Sequence, residues 1–293
     1  MPVAPREIAL LTNPTAGKGR AVRLRDAALT RLREGGLVVR DLMGRDAEEA
    51  GVLARGAVAD GVEGLVVVGG DGMVHLAAQV LAGTDVPLGV IPAGTGNDVA
   101  RYLSLPQRDP AGAADRVIAG RRRTIDLARS GERYYVTVLA AGFDAVVNER
   151  ANHMTWPAGQ MRYNLATLAE LRTFRPLRYR LELDGVEHRL EAMLVAVGNG
   201  PSFGGGLRIA EGADLADGLL DVVVIGPMSR AGLVRTYPRL FRGTHTTHPR
   251  FSRRLVRRVT IASEGITGYA DGERFGPLPL TIDCAPGALK VYA

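Results

Sequence analysis

Cysteine is nearly absent from this sequence, since Cys284 is the only one among 293 residues. A single thiol cannot form an internal disulfide, and its setting in a predicted strand favours a structural role. Long apolar runs are also lacking, because none approaches the roughly 20 residues that cross a bilayer as a helix. Pro2, Pro5 and Glu7 interrupt the apolar stretch that a secretory signal would need. We therefore expect a cytoplasmic protein with no transmembrane segment.

Lysine and aromatic residues are scarce as well. Only Lys18 and Lys290 are lysines among 37 basic residues, and aromatic residues make up 5% of the chain. The arginines cluster at residues 121–123 and 253–258, and the formal net charge is +6. No zinc-finger, recognition-helix or RNA-binding aromatic pattern accompanies them, so nucleic acid is not an expected partner. An anionic membrane surface fits these clusters, although a solvated surface is the simpler interpretation of any one of them.

What the sequence does contain is an alternation of strands and helices followed by a strand-rich half. The alternation is typical of a parallel sheet in an α/β domain, whereas the short extended runs of the second half predict an antiparallel, β-rich domain. A length of 293 residues agrees with two domains. We place them at residues 1–128 and 129–293, with the last strand a candidate to return to the first domain.

The second half is predicted in some detail. Helices are expected at about residues 163–174 and 230–240. The expected strands cover residues 134–140, 177–183, 188–197, 219–225, 256–262, 267–270, 280–284 and 288–291.

A glycine-lined turn within residues 65–81 is the most informative single stretch. Four consecutive apolar residues, Leu65 to Val68, indicate a strand buried on both faces, and two glycines, Asp71 and a helical pattern follow. Asp71 is thus predicted at a strand-to-helix junction, where backbone amides bind phosphate and a carboxylate suits hydrated Mg²⁺. An ordinary tight turn with an acid near a helix start is the alternative, and this stretch alone does not separate the two.

Two further glycine loops, Asn13 to Gly19 and Ala93 to Asp98, follow strands of the same predicted sheet. Ligands bind outside the carboxyl ends of parallel strands, so all three loops are expected at one edge. Asp126 and the pair Asp271 and Glu273 suit metal coordination and general-base work in phosphoryl transfer. The Asp-Gly-Glu tripeptide, taken alone, is also an ordinary hairpin turn.

Other chemistries fit the sequence less well. The five histidines show no zinc-ligand spacing beyond His245-x-x-His248. A Gly-x-Ser-x-Gly nucleophile elbow is missing. The loop around Lys18 lacks the Walker spacing, and no dinucleotide fingerprint follows the first strand.

Seven motifs follow one another along the chain. They are Asn13-Pro-Thr-Ala-Gly-Lys-Gly19, Gly69-Gly-Asp-Gly72, Pro92-Ala-Gly-Thr-Gly-Asn-Asp98, Ile125-Asp126, Gly142-Phe-Asp-Ala145, Asp217-Gly-Leu-Leu-Asp221 and Asp271-Gly-Glu273. In this order they resemble the motifs of the diacylglycerol kinase catalytic-domain family, particularly its soluble bacterial lipid kinases. NAD kinases and phosphofructokinases share the Gly-Gly-Asp-Gly turn, whereas Gly-Thr-Gly-Asn-Asp at this distance makes the resemblance specific.

The resemblance implies an ATP- and Mg²⁺-dependent kinase that phosphorylates the hydroxyl of a lipid such as diacylglycerol. Its fold would be an α/β nucleotide-binding domain with a parallel sheet, like that of NAD kinase, followed by a β-sandwich that contributes catalytic carboxylates and the lipid site. The lipid substrate would be met at the inner face of the membrane. A second copy of the chain, forming a homodimer, is a further candidate partner.

The same resemblance implies roles for individual residues. For ATP it points to Asn13, Pro14, Thr15, Ala16, Gly17, Gly69, Gly70, Asp71, Gly72, Met73, Gly94, Thr95, Gly96, Asn97 and Asp98. For metal it points to Asp71, Asp98 and Asp126 near the nucleotide, and to Asp214, Asp217 and Leu219 at a structural site in the second domain. Glu273 would take the acceptor proton, with Asp271 as the competing base and Asp71 as a further catalytic residue.

The sequence also departs from the family pattern after Gly-Gly-Asp-Gly. Met73, His75 and Leu76 occupy places where the family tends to carry Thr, Asn and Glu, so a hydroxyl and a carboxylate are missing near the predicted phosphate site. Three interpretations stay open: a lipid kinase, a nucleotide- or lipid-binding protein of the same fold with weak or lost catalysis, and a NAD kinase. The lipid acceptor and the choice between Asp271 and Glu273 are also left open.

Overall fold

The structure, a computed structural model, describes residues 6–13, 20–142, 147, 150, 153–156, 166 and 175–293. The chain divides into two compact units, Met1–Leu127 with Ala285–Ala293, and Ala128–Cys284. We refer to them as unit 1 and unit 2. Within the described ranges, no helix is both long enough and apolar enough to span a membrane.

Unit 1 is a parallel α/β unit. Its strands run in the order β2-β1-β3-β4, all parallel, and the end of the last strand of the chain joins β4 through the pair Val291 and Leu88. The elements are β1 (Glu7–Thr12), α1 (Arg20–Glu34), β2 (Val38–Met43), α2 (Ala47–Ala59), β3 (Leu65–Gly69), α3 (Asp71–Leu81), β4 (Leu88–Pro92), α4 (Asp98–Tyr102), α5 (Pro110–Ala119) and β5 (Arg122–Ser130).

Local sequence explains where these helices begin. Asp46 caps α2 by accepting a hydrogen bond from the Glu49 amide, and Asp109 caps α5 in the same way ahead of Pro110. Gly120 ends α5 in the left-handed conformation that glycine adopts without strain. Strands β3 and β4 are buried along their whole length, as expected for central strands covered by helices on both faces.

Unit 2 is built from antiparallel strands. One sheet is formed by β12-β11-β10-β7-β14-β15 and a second by β13, β8 and β9, with β6 paired to the end of β5. The elements are β6 (Arg133–Tyr135), β7 (Val138–Gly142), β8 (Leu177–Leu183), β9 (Val186–Ala192), β10 (Leu194–Gly198), β11 (Leu220–Ile225), α6 (Arg230–Arg242), a 3₁₀ turn (Thr244–Thr247), β12 (Phe251–Val256), β13 (Arg258–Ala262), β14 (Thr267–Ala270), β15 (Glu273–Pro277) and β16 (Leu280–Tyr292).

The core of unit 2 collects the apolar side chains that alternate along these strands. In β8, Tyr179, Leu181 and Leu183 are buried while the residues between them are exposed. They pack with Val195 and Val197 of β10, so the apolar faces of the two sheets share one core.

Several strand predictions were wrong in extent. Residues 134–140 form parts of two strands, β6 and β7, and residues 188–197 belong to β9 and β10. The predicted strand 256–262 covers the last residue of β12 and all of β13, which are separate strands. Strand β15 was not predicted. Residues 280–284 and 288–291, predicted as two strands, are both part of β16. Apart from Ala166, which is helical and buried, the predicted helix 163–174 lies outside the described residues.

The continuity of β16 has a physical reason. Pro286 and Gly287 suggest a break, and Gly287 indeed has a positive φ of 65°. The Gly287 amide donates a hydrogen bond to the Asp126 carboxylate at 2.7 Å. The Asp126 side chain therefore satisfies the backbone amide at this irregular point of the strand. The strand continues to Tyr292 and pairs with β4.

Candidate functional site

The turn from β3 into α3 presents an uncapped helix start. The five residues of β3 are buried, and Gly70 precedes the helix in an extended conformation without a side chain that could cap it. Asp71 is the first helical residue. An uncapped N-terminus with backbone amides and a positive dipole end is a suitable binding site for an anion such as phosphate.

Asp71 ties this turn to the loop after β4. Its Oδ1 accepts a hydrogen bond from the Asp98 amide at 2.7 Å, across 27 residues of sequence. Asp98 itself is buried, with 2% of its surface exposed, and its carboxylate lies 3.5 Å from the Arg101 guanidinium. The structure therefore brings together the two glycine loops that the sequence placed at one sheet edge.

Asn97 shapes the second loop. It adopts the left-handed conformation with φ 55°, and its side chain both accepts from the Gly94 amide at 3.0 Å and donates to the Gly94 carbonyl at 3.1 Å. Gly96 lies between them, and Thr95 is exposed at the tip. This closed loop holds its backbone in one geometry, which is what recognition of a phosphate chain requires.

Two glycines let the loops approach each other. A Cβ placed on Gly94 would lie 2.5 Å from the Gly70 Cα, and one placed on Gly70 would lie 3.0 Å from the Gly94 Cα. Any larger residue at Gly94 would push the loops apart. Gly72, by contrast, is exposed at the start of α3.

Met73 is buried beside the end of β3. Its side chain is 6% exposed and packs against Gly69, where an added Cβ would meet the Met73 Cγ at 2.4 Å. Its backbone amide donates to the Gly70 carbonyl at 3.0 Å. His75 is also buried. The residue that stands where the family carries a hydroxyl thus belongs to the apolar packing of unit 1.

The remaining predicted residues of unit 1 have different surroundings. Asp126 is buried on β5 and accepts from the Gly287 amide. Asn13 follows β1 and is partly buried. The predictions at Pro14, Thr15, Ala16 and Gly17 fall outside the described residues.

In unit 2, the two candidate bases differ sharply although they are two residues apart. Asp271 is 9% exposed, and its carboxylate accepts from the Val136 amide, the Thr137 amide and the Thr137 hydroxyl at 2.7–2.8 Å. It also has a positive φ of 52°. Glu273, the first residue of β15, is exposed. Asp271 is therefore fixed by three donors, whereas Glu273 points its carboxylate into solvent.

The surroundings of Asp271 include residues that sequence reasoning missed. Asn199 is fully buried, donates from its side chain to the Val136 carbonyl at 2.8 Å and from its backbone to Thr137 at 2.8 Å. Tyr135 is buried next to them, and burial together with the negative charge of Asp271 raises the pKa of its phenol well above the ordinary value. An asparagine between two glycines directly after an all-apolar strand was the available signal for Asn199.

The predicted structural metal loop forms two tight local turns. Asp214 accepts from the Ala216 amide at 3.1 Å and Asp217 from the Leu219 amide at 3.0 Å, and both acids are exposed. Such turns are common for aspartate without any metal. Among the described residues, no group of three or more His, Cys, Asp or Glu side chains could hold a metal ion.

Asp221, which closes the same motif, is an internal ion-pair partner. It is buried and bonds to the Arg253 side chain, which also donates to the carbonyls of Glu211 and Gly212 at 3.2 Å. Burial raises the pKa of Asp221, although Arg253 acts in the opposite direction. Arg253 thereby fastens the loop before β11 to β12.

Two family models match the chain. One, described as the diacylglycerol kinase catalytic domain, matches residues 7–130. The other, described as the YegS C-terminal NAD kinase beta sandwich-like domain, matches residues 137–293. The expected fold class, an α/β domain with a parallel sheet and a β-sandwich, is thereby confirmed.

Proteins named diacylglycerol kinase are similar to this chain over most of its length. A diacylglycerol kinase of Mycobacterium tuberculosis (strain H37Rv) is 47% identical over 291 residues, covering 97% of this chain and 94% of that protein. A diacylglycerol kinase of Bacillus subtilis (strain 168) is 32% identical over 219 residues, covering 73% of this chain and 72% of that protein. A crystal structure of a diacylglycerol kinase from Bacillus anthracis str. Sterne, 23% identical, has a TM-score of 0.79 over 99% of this chain and 98% of that one, and it shows the fold alone.

Proposed function

The chain belongs to the diacylglycerol kinase catalytic-domain family and is a lipid kinase, and on that premise we propose that it transfers the γ-phosphate of ATP to the hydroxyl of diacylglycerol. In this reaction the acceptor oxygen forms a bond to the γ-phosphorus while the bond between that phosphorus and the β,γ-bridging oxygen breaks. ADP leaves, and the hydroxyl proton passes to a carboxylate of the protein. The work of the protein is to position both substrates, neutralise charge and accept that proton.

The joined glycine loops are the observation that carries the proposal. The Asp71–Asp98 hydrogen bond and the contact of Gly70 with Gly94 bring an uncapped helix N-terminus next to a closed Gly-Thr-Gly-Asn loop. Backbone amides from both loops would cradle the phosphates of ATP, with the exposed Thr95 hydroxyl beside them.

The donor set of unit 1 fits Mg²⁺. This ion prefers oxygen ligands and is commonly held by one or two carboxylates together with phosphate oxygens, so a cluster of three acids is not needed. Asp71, at the edge where phosphates would bind, would hold it, with Asp98 and Asp126 supporting the surrounding network. When bound, Mg²⁺ would offset the negative charge of the transferring group.

Glu273 is the better candidate for the general base. Asp271 already accepts three hydrogen bonds, which hold its carboxylate in place, occupy most of its roughly four lone-pair sites and stabilise its ionised form. Glu273 is exposed and joined to Asp271 by one glycine. We assign Asp271 the role of fixing the turn that presents Glu273.

The test is transfer of label from γ-labelled ATP to diacylglycerol in mixed micelles. We expect transfer that depends on Mg²⁺ and is lost in Asp71→Asn and Glu273→Gln, but not in Glu264→Gln, which alters another exposed acid of unit 2. A screen with other glycerolipids and a sphingoid base would identify the preferred acceptor. Equal activity of Glu273→Gln and Glu264→Gln would refute the assignment of the base.

Weak or lost catalysis is the second candidate, and the buried Met73 is the observation that favours it. The missing hydroxyl would leave one phosphate contact unmade. Calorimetry would then show ATP binding without turnover in the wild type and in Met73→Thr alike. Turnover by the wild type at a rate typical of kinases, about 1 s⁻¹ or more, would exclude this alternative.

The lipid acceptor implies work at a membrane surface. Because ATP is a cytoplasmic nucleotide and the acceptor hydroxyl lies at the bilayer interface, we propose a cytoplasmic protein that associates peripherally with the inner face of the membrane. A homodimer remains a prediction that sedimentation of the purified protein would test.

A further inference from the structure

One segment of unit 2 concentrates positive charge without any acid. Residues 222–263 contain nine arginines, two histidines and no aspartate or glutamate. The whole chain has a net charge of +6, so everything outside this segment is slightly acidic. The segment includes α6, the 3₁₀ turn and β12.

Helix α6 exposes an apolar strip to solvent. Its inner side packs Leu233, Thr236 and Leu240 into unit 2. On its outer side Val234 is 52% exposed and Phe241 is 42% exposed. Ala231 and Pro238, which also lie on this side, are exposed too.

Arginines flank this strip on both sides. At about 100° of rotation per residue, the exposed apolar residues occupy the middle of the outer face. Arg230 lies at one border of the strip, and Arg235 and Arg242 lie at the other. Within the described part of the chain, these three guanidinium groups make no ion pair and no side-chain hydrogen bond.

Arg239, the fourth arginine of the helix, is already engaged. Arg239 donates to the Thr244 carbonyl at 2.6 Å and to the Thr247 hydroxyl at 2.8 Å, which ties the end of the helix to the 3₁₀ turn. Ser229 caps the start of the helix, and Gly243 ends it in the left-handed conformation. The helix is thus fixed at both ends, and its three bordering arginines are left to an outside partner.

We propose that this face of α6 docks the protein on an anionic phospholipid bilayer. Val234 and Phe241 enter the boundary between headgroups and acyl chains, while Arg230, Arg235 and Arg242 contact the headgroup phosphates. An apolar centre bordered by cations matches an interface that is apolar within and anionic at its surface. Nucleic acid fits less well, because a phosphate backbone calls for cations where this surface carries Val234 and Phe241. The inference rests on the proposed function only in that a lipid kinase must reach a bilayer.

The first experiment is sedimentation of the full-length protein with vesicles, without ATP or diacylglycerol. Wild type is expected to bind vesicles of equal parts phosphatidylcholine and phosphatidylglycerol, and to bind phosphatidylcholine alone far less. Arg235→Gln with Arg242→Gln is expected to weaken binding roughly 20- to 30-fold, at about fivefold for each arginine, and to flatten its dependence on salt. Val234→Ser with Phe241→Ser should weaken it about tenfold or more.

The matched control lies on α2 of unit 1. Val52 and Arg55 are an exposed apolar residue and an exposed arginine on a helix, and Val52→Ser with Arg55→Gln should bind like wild type. Binding of both α6 variants at wild-type strength would overturn the proposal. Displacement of the protein from vesicles by an equal charge concentration of duplex DNA would also overturn it, in favour of nucleic acid.

A second readout reports insertion directly. Trp156 is the only tryptophan, so Phe241→Trp in a Trp156→Phe background places a single fluorophore on α6. Its emission should shift to shorter wavelength with anionic vesicles, and an unchanged spectrum despite bound protein would refute insertion.

Assays with a water-soluble, short-chain diacylglycerol separate this inference from the proposed function. The α6 variants should phosphorylate it like wild type while failing to bind vesicles. If neither the wild type nor any variant phosphorylates a lipid, but vesicle binding still depends on α6, the proposed function is refuted and the docking surface is supported.

Discussion

Asp271 and Glu273 lie on one turn, but their different surroundings suit the two carboxylates to different roles. The three donors around Asp271 belong to Val136 and Thr137, between β6 and β7 and more than 130 positions away in sequence. These hydrogen bonds stabilise the ionised carboxylate of Asp271, which makes it a poor acceptor for the proton of a substrate hydroxyl. The turn then places Glu273 in solvent, where a hydroxyl could reach it.

Glu273→Gln and Asp271→Asn should therefore fail in different ways. We expect Glu273→Gln to lower kcat by on the order of 10²-fold or more with unchanged thermal unfolding, because only proton acceptance is lost. Asp271→Asn should instead lower the free energy of unfolding by about 1–3 kcal/mol, because an amide nitrogen would face donors that need an acceptor. Steady-state kinetics and urea unfolding measure the two effects. If Asp271→Asn unfolds like wild type and yet is inactive, the assignment of Glu273 as base is wrong.

His245 gives a second prediction at this scale. Its ring is 1% exposed, Nε2 lies 3.1 Å from the Ile209 carbonyl oxygen, and the ring meets Phe251 edge to face at 5.0 Å. Burial lowers the pKa of His245 below its ordinary value. The folded state thus favours the neutral ring, and the unfolded chain binds a proton first as pH falls.

The free energy of unfolding should accordingly fall as pH decreases below about 6.5, the ordinary histidine pKa, and level off below the lowered value. His245→Phe should remove this part of the pH dependence, whereas His188→Gln on β9 should retain it. Urea unfolding at a series of pH values from neutral to acidic measures it. Parallel curves for wild type and His245→Phe would contradict the prediction.

At the scale of elements, the close approach of the β3–α3 turn and the β4–α4 loop is the feature that shapes the candidate nucleotide site. Gly94→Ala would place a Cβ 2.5 Å from the Gly70 Cα, so the loops must separate. We expect ATP affinity to fall at least about tenfold, since amides from both loops lose their common geometry. Calorimetric titration with ATP measures this.

Gly56→Ala is the matched control for that change. Gly56 lies inside α2, has no positive φ, and a Cβ there would meet nothing within 4 Å. The substitution should raise the free energy of unfolding by about 0.5–1 kcal/mol and leave ATP affinity unchanged. Equal loss of ATP affinity in both variants would show that the contact between the loops is not what matters.

The sequence predicts such elements well where the signal is local. The strand before Gly69, the turn at Asp71 and the helix with Val74, Ala77 and Leu81 on one face follow from spacing alone. Contacts between buried side chains produce no local sequence pattern. For this reason neither the donors to Asp271 nor the packing of Met73 on Gly69 was predicted. The continuity of β16 was missed because its irregular point is stabilised by Asp126, which lies 161 residues earlier.

At the scale of the molecule, unit 1 is made from two separate parts of the chain. Residues 285–293 supply the buried Leu289, Val291 and Tyr292, and the Tyr292 hydroxyl donates to the Glu63 carbonyl at 3.2 Å. Unit 2 is one continuous stretch, residues 128–284.

Ending the chain after Cys284 should therefore unfold unit 1 and spare unit 2. We expect the truncated protein to lose ATP binding and to yield, on limited proteolysis, a resistant fragment that starts near residue 128. Lys290→Ala, which removes only the exposed ion pair with Asp85, should change stability by less than about 1 kcal/mol. Wild-type ATP affinity in the truncated protein would show that these last residues are dispensable.

The divided unit also has a consequence for synthesis on the ribosome. Domains commonly fold in the order in which they emerge, the N-terminal one first. Here the first residues to be made lack their final strand until residues 285–293 have been translated, whereas unit 2 is complete before that point. We expect the unit with the glycine loops to be the last to fold, which would delay nucleotide binding by a nascent chain until residues 285–293 have been made.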